Sequence, residues 1–314
     1  MSDKEKIVIS SKEERSFDKQ IRPNLFTEFI GQKNLVNSLK TYILAAKERK
    51  EALDHILLYG PPGLGKTTLS NIIANELKKG FYSSSGPVIS IPGDLSGMLT
   101  NLQNRDVFFI DEIHRINTTV EEYLYSAMED YRIDILIDSG PNARTVRIDL
   151  EPFTLVGATT RLGKITTPMR DRFGAIFRLE YYKNDEIFQV LKRTSKILKV
   201  NIDEDALHEI ALRSRGTPRV ANRILKRVRD FAQVQKSKKI TLTQASESLD
   251  SIGVDKNGLE EMDRKILNNL IFKFNGGPTG GKSLAISVNE DLQTIEDVYE
   301  PYLIKEGFIE RTSR

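Results

Sequence analysis

Two stretches of this chain contain residues of the types and spacing that bind phosphate. Residues 60–67 read GPPGLGKT and residues 276–283 read GGPTGGKS, so both match the pattern G-x-x-x-x-G-K-[ST]. The pattern binds phosphate only between a strand and a helix, where backbone N–H groups and the helix dipole converge on phosphate oxygens. The first stretch, with Gly63, Gly65 and Lys66, lies between an apolar run and a predicted helix. The second follows a predicted helix, and we interpret it as a coincidental glycine-rich turn.

A pair of acidic residues could bind the metal ion and activate the water that phosphate hydrolysis requires. The apolar run at residues 107–110 ends in Asp111 and Glu112. Asp111 would hold Mg²⁺ together with the hydroxyl of Thr67, and Glu112 would polarise the attacking water. An acidic helix cap would explain one carboxylate but not two adjacent ones at the tip of an apolar strand. The two motifs together predict an ATPase.

Further along the chain, hydroxyl and guanidinium groups occur that could assist ATP hydrolysis. Thr159 and Thr160 end another apolar run, where a hydroxyl would orient the lytic water; a simple strand-end turn is the alternative. Arg170 and Arg172 lie far from the phosphate loop in the sequence. Either could be an arginine finger that points at a neighbouring subunit's γ-phosphate. A salt bridge to Asp171 could account for one of them.

Arg219 is the second residue of a helix that we predict from Thr217 to residue 234. The helix dipole disfavours a cation at this end unless an anion compensates it. A γ-phosphate would be such an anion, and a nearby acidic side chain is the other explanation.

The elements that must position these residues are indicated by the hydrophobic pattern. Continuous apolar runs at residues 55–59, 88–91, 107–110 and 154–158 predict parallel strands that are buried on both faces. Helical stretches at 66–77 and 120–130 lie between them, so we expect an α/β doubly wound domain. After residue 182 the strands stop. Helices continue to about residue 250, and the stretch 252–258 is a predicted linker.

The last part of the chain has its own pattern. A helix at 260–274, two shorter helices and an apolar strand at 308–309 favour a winged-helix module. We therefore predict three domains: an ATPase domain over 1–182, a helical lid over 183–255 and a winged-helix head over 256–314.

The segment 132–150 breaks the α/β pattern. Its apolar residues alternate with polar ones on both sides of the turn signal SGPN at residues 139–142. This predicts a β-hairpin. It would be either a surface decoration or an exposed apolar hairpin that docks a partner.

Composition limits the class of protein. The 314 residues include 39% hydrophobic and 29% charged side chains, which is ordinary for a soluble protein, and the absence of cysteine excludes disulfides and thiolate chemistry. Without a signal peptide or a long apolar segment we expect a cytoplasmic protein with no membrane partner. The net charge is +3, with 15 basic and 10 acidic side chains in the lid. No segment is strongly basic, so we expect any contact with DNA to be made by a few placed residues.

In this order, the segments GPPGLGKTT, FIDEIHR, GATTR, PMRDRFG and GTPR resemble those of AAA+ ATPases. The match is closer to one AAA+ family, RuvB, the Holliday junction branch-migration motors, through SGPV, EEYLYSAMEDYRIDILI, GPNAR, RGTPRVANRILKRVRDFA and EPYLIKEGFIERT. It extends from Ile21 to the end of the chain. The fold that it implies is an AAA+ P-loop domain with a parallel sheet, a helical lid and a winged helix.

The resemblance also implies a set of residue roles. Lys66, Thr67 and Thr68 would bind the phosphates of ATP and its Mg²⁺, and Asp111 would also bind the metal. Glu112 would be the catalytic carboxylate, and Thr159 or Thr160 would be the first sensor. Arg172 would be the arginine finger, and Arg219 would be the second sensor. The nucleotide would be flanked by Ile21, Arg22, Tyr182 and the stretch Glu129, Asp130 and Tyr131. His114, beside the acidic pair, we interpret as positional rather than chemical.

Partners are implied in the same way. Members of the family form homohexameric rings around duplex DNA at four-way junctions. The hairpin around Gly140 and Pro141 would contact a RuvA-like junction-binding protein, and a RuvC-like resolvase would be a further partner. Arg311 and Arg314 match basic positions expected on DNA, although the chain ends at Arg314, where relatives continue the wing.

The presumed recognition helix, residues 294–306, is rich in Glu and Asp. It is therefore not expected to enter a major groove between two rows of phosphates. A clamp-loader-like or scaffold ATPase that uses ATP binding as an assembly switch is the alternative function, because it would use the same nucleotide-site residues. The hairpin and the head favour the DNA motor.

Overall fold

The computed structural model describes residues 20–136 and 145–312 of the chain. The chain divides into two compact units, Met1–Glu180 and Tyr181–Arg314. The first unit is built on a β-sheet, and the second is helical. Within the described ranges, no helix is both long enough and apolar enough to cross a membrane.

The first unit contains a five-stranded parallel sheet in the order β2-β3-β6-β1-β7. Its strands are β1 (Ile56–Tyr59), β2 (Phe81–Ser85), β3 (Val107–Asp111), β6 (Thr154–Thr159) and β7 (Ala175–Arg178). The three central strands are almost wholly buried, as expected for a parallel sheet that is covered on both faces. The predicted α/β class is confirmed. Because β6 lies between β1 and β3, the carboxyl ends of these three strands are neighbours.

Between Lys33 and Glu180, the described part of the chain has five α-helices beside this sheet. They are α1 (Lys33–Arg49), α2 (Lys66–Leu77), α3 (Pro92–Leu99), α4 (Thr118–Asp130) and α5 (Thr167–Asp171). The helices predicted at 66–77 and 120–130 are confirmed. A large cluster of buried apolar side chains joins α3 and α4 to the sheet, with Phe108, Leu124 and Phe153 among its members.

The strand predicted at residues 88–91 is wrong. Val88 ends a short 3₁₀ turn that begins at Gly86, and Pro92 starts α3. Pro87 and Pro92 each lack the N–H group that a sheet ladder needs. Only Ile89 of this run is buried, while Val88 and Ile91 are each 59% exposed. The strand beside β3 is instead β2, whose sequence FYSSS is mostly polar.

The strands of the predicted hairpin are confirmed. β4 (Arg132–Leu136) pairs in antiparallel fashion with β5 (Thr145–Asp149), with Ile135 opposite Val146. Ile133 is buried in the core of the first unit, and Val146 is 41% exposed. The predicted turn, with Gly140 and Pro141, lies outside the described residues.

Among its described residues, the second unit is built of helices and turns, with one isolated β-bridge between Ile202 and Ile240. Its helices are α6 (Asn184–Ile197), α7 (Glu204–Leu212), α8 (Pro218–Val234), α9 (Leu242–Ser251), α10 (Glu261–Phe272), α11 (Gly281–Val288), α12 (Leu292–Thr294) and α13 (Glu300–Lys305). A π-helical turn, Ile295–Tyr299, joins α12 to α13. Pro301 has no N–H for the carbonyl of Asp297, which explains the irregular turn just before it.

One predicted strand in the second unit needs correction. The predicted strand at 308–309 is wrong: Gly307, at a φ of 75°, ends α13, and the N–H of Phe308 turns back to the carbonyl of Leu303 at 2.9 Å. The predicted linker at 252–258 is held tightly. Arg213 donates to the carbonyl of Val254 at 3.0 Å, and Arg215 donates to that of Gly258 at 2.7 Å.

The second G-x-x-x-x-G-K-S stretch follows helix α10, and α11 begins inside it. It therefore lacks the strand that precedes a phosphate-binding loop, as interpreted from the sequence.

Candidate nucleotide-binding and hydrolysis site

The phosphate-binding loop lies between β1 and α2. Gly60, Gly63 and Gly65 have φ angles of 141°, 79° and 103°, a region that side chains strongly disfavour. A Cβ on Gly60 would lie 2.5 Å from the carbonyl oxygen of Leu179. Gly65 is the N-cap of α2 and supplies no side-chain cap to its first N–H groups. This backbone fits the phosphates of a nucleotide.

Lys66 is buried and lies over the same loop. Its Nζ donates to the carbonyl oxygens of Gly60 at 2.7 Å and of Pro61 at 2.9 Å. Both acceptors are neutral, and an ionised phosphate oxygen is a stronger acceptor for an ammonium group. The lysine is therefore already held where phosphates would enter. Thr67 and Thr68 follow it in the first turn of α2.

The acidic pair ends β3. Asp111 is the last residue of the strand, and its Oδ1 accepts the N–H of Glu112 at 3.0 Å. Glu112 has a φ of 49°, in the left-handed region that few residues other than glycine adopt. Such conformations often occur at functional sites, because the surrounding structure must hold them.

Gly86 maintains that turn, and sequence reasoning missed it. A Cβ on Gly86 would lie only 2.4 Å from the carbonyl oxygen of Glu112. The signal was the SGPV segment, in which only glycine allows the backbone to pass so close to the acidic pair.

Thr159 lies between the loop and the acidic pair. It is the buried last residue of β6, and its carbonyl accepts the N–H of Gly60 at 3.2 Å. Its Oγ1 accepts the N–H of Arg161 at 2.9 Å and lies 2.9 Å from Nδ1 of His114. Nε2 of the same imidazole lies 3.4 Å from Oε2 of Glu112. Thr160 is the first residue after the strand.

The residues at this end of the sheet also fit Mg²⁺. Thr67 offers a hydroxyl and Asp111 a carboxylate, and Mg²⁺ usually takes one or two carboxylates with waters and phosphate oxygens. Within residues 20–136 and 145–312 no group of three or more His, Asp or Glu side chains could hold a metal by itself.

Arg172 lies elsewhere in the first unit. Its Nη2 pairs with Oε2 of Glu129 at 2.9 Å, and its Nη1 donates to the carbonyl of Pro168 at 2.8 Å. The guanidinium also lies 4.5 Å from the ring centre of Tyr125. Its ion pair is thus with Glu129 on α4, whereas the sequence suggested Asp171 as the alternative partner. The Nη2 group of Arg170 donates to the hydroxyl of its neighbour Thr167 at 3.4 Å.

Glu129, Asp130 and Tyr131 lie at the end of α4. The Tyr131 ring packs edge-on against His55 and Phe153, which directly precede the amino ends of β1 and β6. The phosphate loop follows the carboxyl end of β1, about 13 Å away for a strand of this length. The structure therefore does not bring these three residues to the phosphate loop of the same chain. It groups them with Arg172.

His55 stabilises the end of α4, where Glu129, Asp130 and Tyr131 lie. His55 was not identified from the sequence. Its Nδ1 accepts the N–H of Leu155 at 2.9 Å, so its Nε2–H donates to the carbonyl of Met128 at 3.0 Å. Burial lowers the pKa of His55 below its ordinary value of 6.5. An uncharged imidazole thus ties the end of α4 to β6.

The remaining predicted nucleotide residues are in two places. Ile21 is buried in the first unit, with Arg22 beside it. In the second unit, Tyr182 is buried and donates its N–H to the carbonyl of Gly216 at 2.9 Å. Arg219 is the exposed second residue of α8, and none of the described acidic side chains pairs with it.

The predicted DNA contact Arg311 is held by acidic side chains of the same unit. Its Nε and Nη2 both donate to Oε2 of Glu300, at 2.9 and 2.6 Å, and Glu296 lies 3.6 Å away. These contacts raise the pKa of Arg311, first through the hydrogen bond to Glu300. Arg314 lies outside the described residues.

Comparison with known proteins gives three consecutive matches. Family models match residues 21–179 (Holliday junction DNA helicase RuvB P-loop domain), 182–255 (RuvB AAA lid domain) and 256–314 (RuvB C-terminal winged helix domain). The chain is 57% identical to the Holliday junction branch migration complex subunit RuvB of Flavobacterium johnsoniae over 96% of this chain and 89% of that protein. For the subunit of the same name from Myxococcus xanthus the identity is 56%, over 96% and 88%.

A solved structure is similar over nearly the same length. It is the Thermotoga maritima RuvB Holliday junction branch migration motor, with a TM-score of 0.86, 46% identity and coverage of 94% of each chain. The phosphate loop, the acidic pair and Thr159 occupy the strand ends where a P-loop ATPase carries them, and the family models span the chain from residue 21. The chain therefore belongs to the RuvB family of AAA+ P-loop ATPases.

Proposed function

We propose that this chain is an ATP-driven motor that moves duplex DNA and so drives branch migration at Holliday junctions, in recombination and DNA repair. One observation carries the proposal. The loop of Lys66, the pair Asp111–Glu112 and the Thr159 hydroxyl meet at the carboxyl ends of three neighbouring strands. This is the arrangement of cation, carboxylate and hydroxyl that phosphoryl transfer to water requires.

Each group has a distinct role in this proposal. The loop glycines Gly63 and Gly65, Lys66 and Thr68 hold the phosphates of ATP. Thr67 and Asp111 would hold Mg²⁺, and the cation would supply positive charge to the phosphate oxygens. Glu112 polarises the attacking water and accepts its proton, and Thr159 orients that water. Ile21, Arg22, Tyr182 and Arg219 complete the nucleotide pocket.

The position of Arg172 supports action between chains. Arg172 and Glu129 lie toward the amino ends of the strands, away from the phosphate loop of their own chain. A head-to-tail interface would place them at the loop of the next subunit, and such interfaces close into rings. We therefore propose a homohexameric ring in which Arg172, with Glu129, Asp130 and Tyr131 beside it, completes the neighbour's site.

The proposed partners follow from the rest of the chain. The relatives are named subunits of a branch migration complex. We propose that the hairpin 132–150, with Val146 exposed, docks a RuvA-like protein, and that a RuvC-like resolvase joins the complex. The head would touch DNA through few phosphate contacts, including Arg311 and Arg314. We place the motor in the cytoplasm, with functional domains at 1–182, 183–255 and 256–314, in keeping with the family matches.

Movement of a synthetic four-way junction tests this function. With ATP, Mg²⁺ and a RuvA-like protein, we expect wild-type chain to convert the junction into two duplex products. Lys66→Ala should abolish conversion because it removes the phosphate cation. Lys282→Ala, in the second G-x-x-x-x-G-K-S stretch, is the matched control and should convert the junction at the wild-type rate. ATP hydrolysis without junction movement, with or without the partner, would contradict the proposal.

A further inference from the structure

One side chain, the imidazole of His114, connects the Thr159 hydroxyl to the Glu112 carboxylate. Nδ1 lies 2.9 Å from Oγ1 of Thr159, and Nε2 lies 3.4 Å from Oε2 of Glu112. The His114 side chain is almost completely buried. Because both contacts are made by one rigid ring, a displacement at one of them is transmitted to the other.

The hydrogen bonds have a definite direction. The N–H of Arg161 donates to Oγ1 of Thr159 at 2.9 Å, which leaves the proton of that hydroxyl free to be donated. With one proton on the imidazole, the proton must be on Nε2, since the other tautomer would set a nitrogen lone pair against a carboxylate oxygen. Thr159 therefore donates to His114, and the Nε2–H of His114 lies opposite the Glu112 carboxylate, 3.4 Å from its Oε2.

Thr159 is also attached to the phosphate loop. Its carbonyl accepts the N–H of Gly60, the first residue of that loop, at 3.2 Å. A hydroxyl has a single proton, so Thr159 can donate it either to His114 or to a phosphate oxygen, and not to both. A change of acceptor at Thr159 removes the donor that holds Nδ1 of the imidazole.

We propose that His114 is a positioning residue that makes the orientation of the Glu112 carboxylate depend on the acceptor of the Thr159 hydroxyl. The inference rests on the proposed ATPase function. In this proposal His114 has no contact with ATP or with the attacking water. It acts through Glu112, so that the carboxylate changes its position when Thr159 turns to the γ-phosphate.

A double-variant cycle on the full chain tests the link. His114→Phe keeps a ring and removes both polar contacts, and Thr159→Val keeps the shape of the side chain and removes the hydroxyl. Each should lower kcat for ATP about 10- to 100-fold, the usual effect of misplacing a catalytic group. The kcat of the double variant should be no lower than that of the less active single variant. Affinity for a fluorescent ATP analogue should stay at the wild-type value in His114→Phe, because this variant leaves the phosphate loop and the Thr159 hydroxyl in place.

His114→Gln separates positioning from a merely structural role. Its amide reaches the level of Nε2 and can donate to Glu112, so we expect it to recover part of the lost kcat. It also keeps the test informative if His114→Phe does not fold. Losses that multiply in the double variant, or a wild-type kcat in His114→Phe, would overturn the inference.

Glu112→Gln distinguishes this inference from the proposed function. If Glu112→Gln is inactive and His114→Phe hydrolyses ATP like wild type, only the role of His114 is overturned. If Glu112→Gln itself hydrolyses ATP like wild type, the catalytic role of Glu112 and the inference are overturned together.

Discussion

The two ends of the central sheet carry different groups of the residues that we assign to ATP hydrolysis. At the carboxyl ends, Asp111, Glu112 and Thr159 end neighbouring strands or directly follow them, and the loop after β1 leads to Lys66. Toward the amino ends, Arg172 pairs with Glu129. In the proposed function, the first group binds phosphate and activates water, but it includes no arginine. The second offers a guanidinium and no phosphate loop.

This difference indicates why a family of ATPases would work as rings. Arg172 cannot serve the phosphate loop of its own chain while it contacts Glu129 and Tyr125 on the far side of the first unit. A neighbouring chain that presents its carboxyl end to this face would complete the site. Hydrolysis would then depend on correct assembly.

Removing the finger should have the largest effect. Arg172→Ala should lower kcat for ATP about 10³- to 10⁵-fold, because a finger stabilises charge in the transition state. Nucleotide affinity should stay close to wild type, since the phosphate loop is untouched. Arg170→Ala, two residues earlier in α5, is the matched control and should change kcat little. Steady-state hydrolysis and titration with a fluorescent nucleotide measure both quantities. A larger loss in Arg170→Ala than in Arg172→Ala would exchange their roles.

A smaller effect is expected at the carboxyl end from Gly86→Ala. The added methyl would meet the carbonyl of Glu112 at 2.4 Å, so the acidic turn must move. We expect kcat to fall about 10- to 100-fold, because a shift near 1 Å displaces the catalytic carboxylate. Gly97→Ala is the control, because a Cβ there meets no atom within 4 Å and alanine favours the helix. Equal activity of the two variants would show that Gly86 does not position Glu112.

The smallest effect concerns stability at the amino end. Burial lowers the pKa of His55 in the folded chain, so the unfolded chain binds a proton first as the pH falls. Stability from His55 is therefore complete above its ordinary pKa of 6.5 and is lost below it. The loss is at most about 1.4 kcal/mol per pH unit for one proton. Urea unfolding of wild type and His55→Gln at pH 7.5 and 5.5 measures it. A variant that loses as much stability on acidification as wild type would contradict the role of His55.

Some of these features could be predicted from the sequence because the signal is local. Runs such as residues 107–110 are apolar without interruption, since a central parallel strand is buried on both faces, and the motifs that follow them are contiguous. The phosphate loop, the acidic pair and the hairpin strands could all be identified in this way.

Other features depend on contacts between distant residues. β2 was missed because it is an edge strand whose serines are partly exposed, while the apolar run at 88–91 was misleading because prolines flank it. Nothing in the sequence pairs Arg172 with Glu129, which lies 43 positions earlier. Likewise, only the folded chain brings Gly86 against Glu112 or His114 between Thr159 and Glu112.

The central claim is that the two ends of the sheet complete one another between chains. Mixing two inactive variants, Lys66→Ala and Arg172→Ala, tests it most directly. A mixed ring would contain interfaces that join an intact phosphate loop of one variant to an intact Arg172 of the other. We predict that ATP hydrolysis reappears on mixing and is greatest near equal proportions. No recovered activity at any ratio, in rings shown to contain both variants, would contradict the claim.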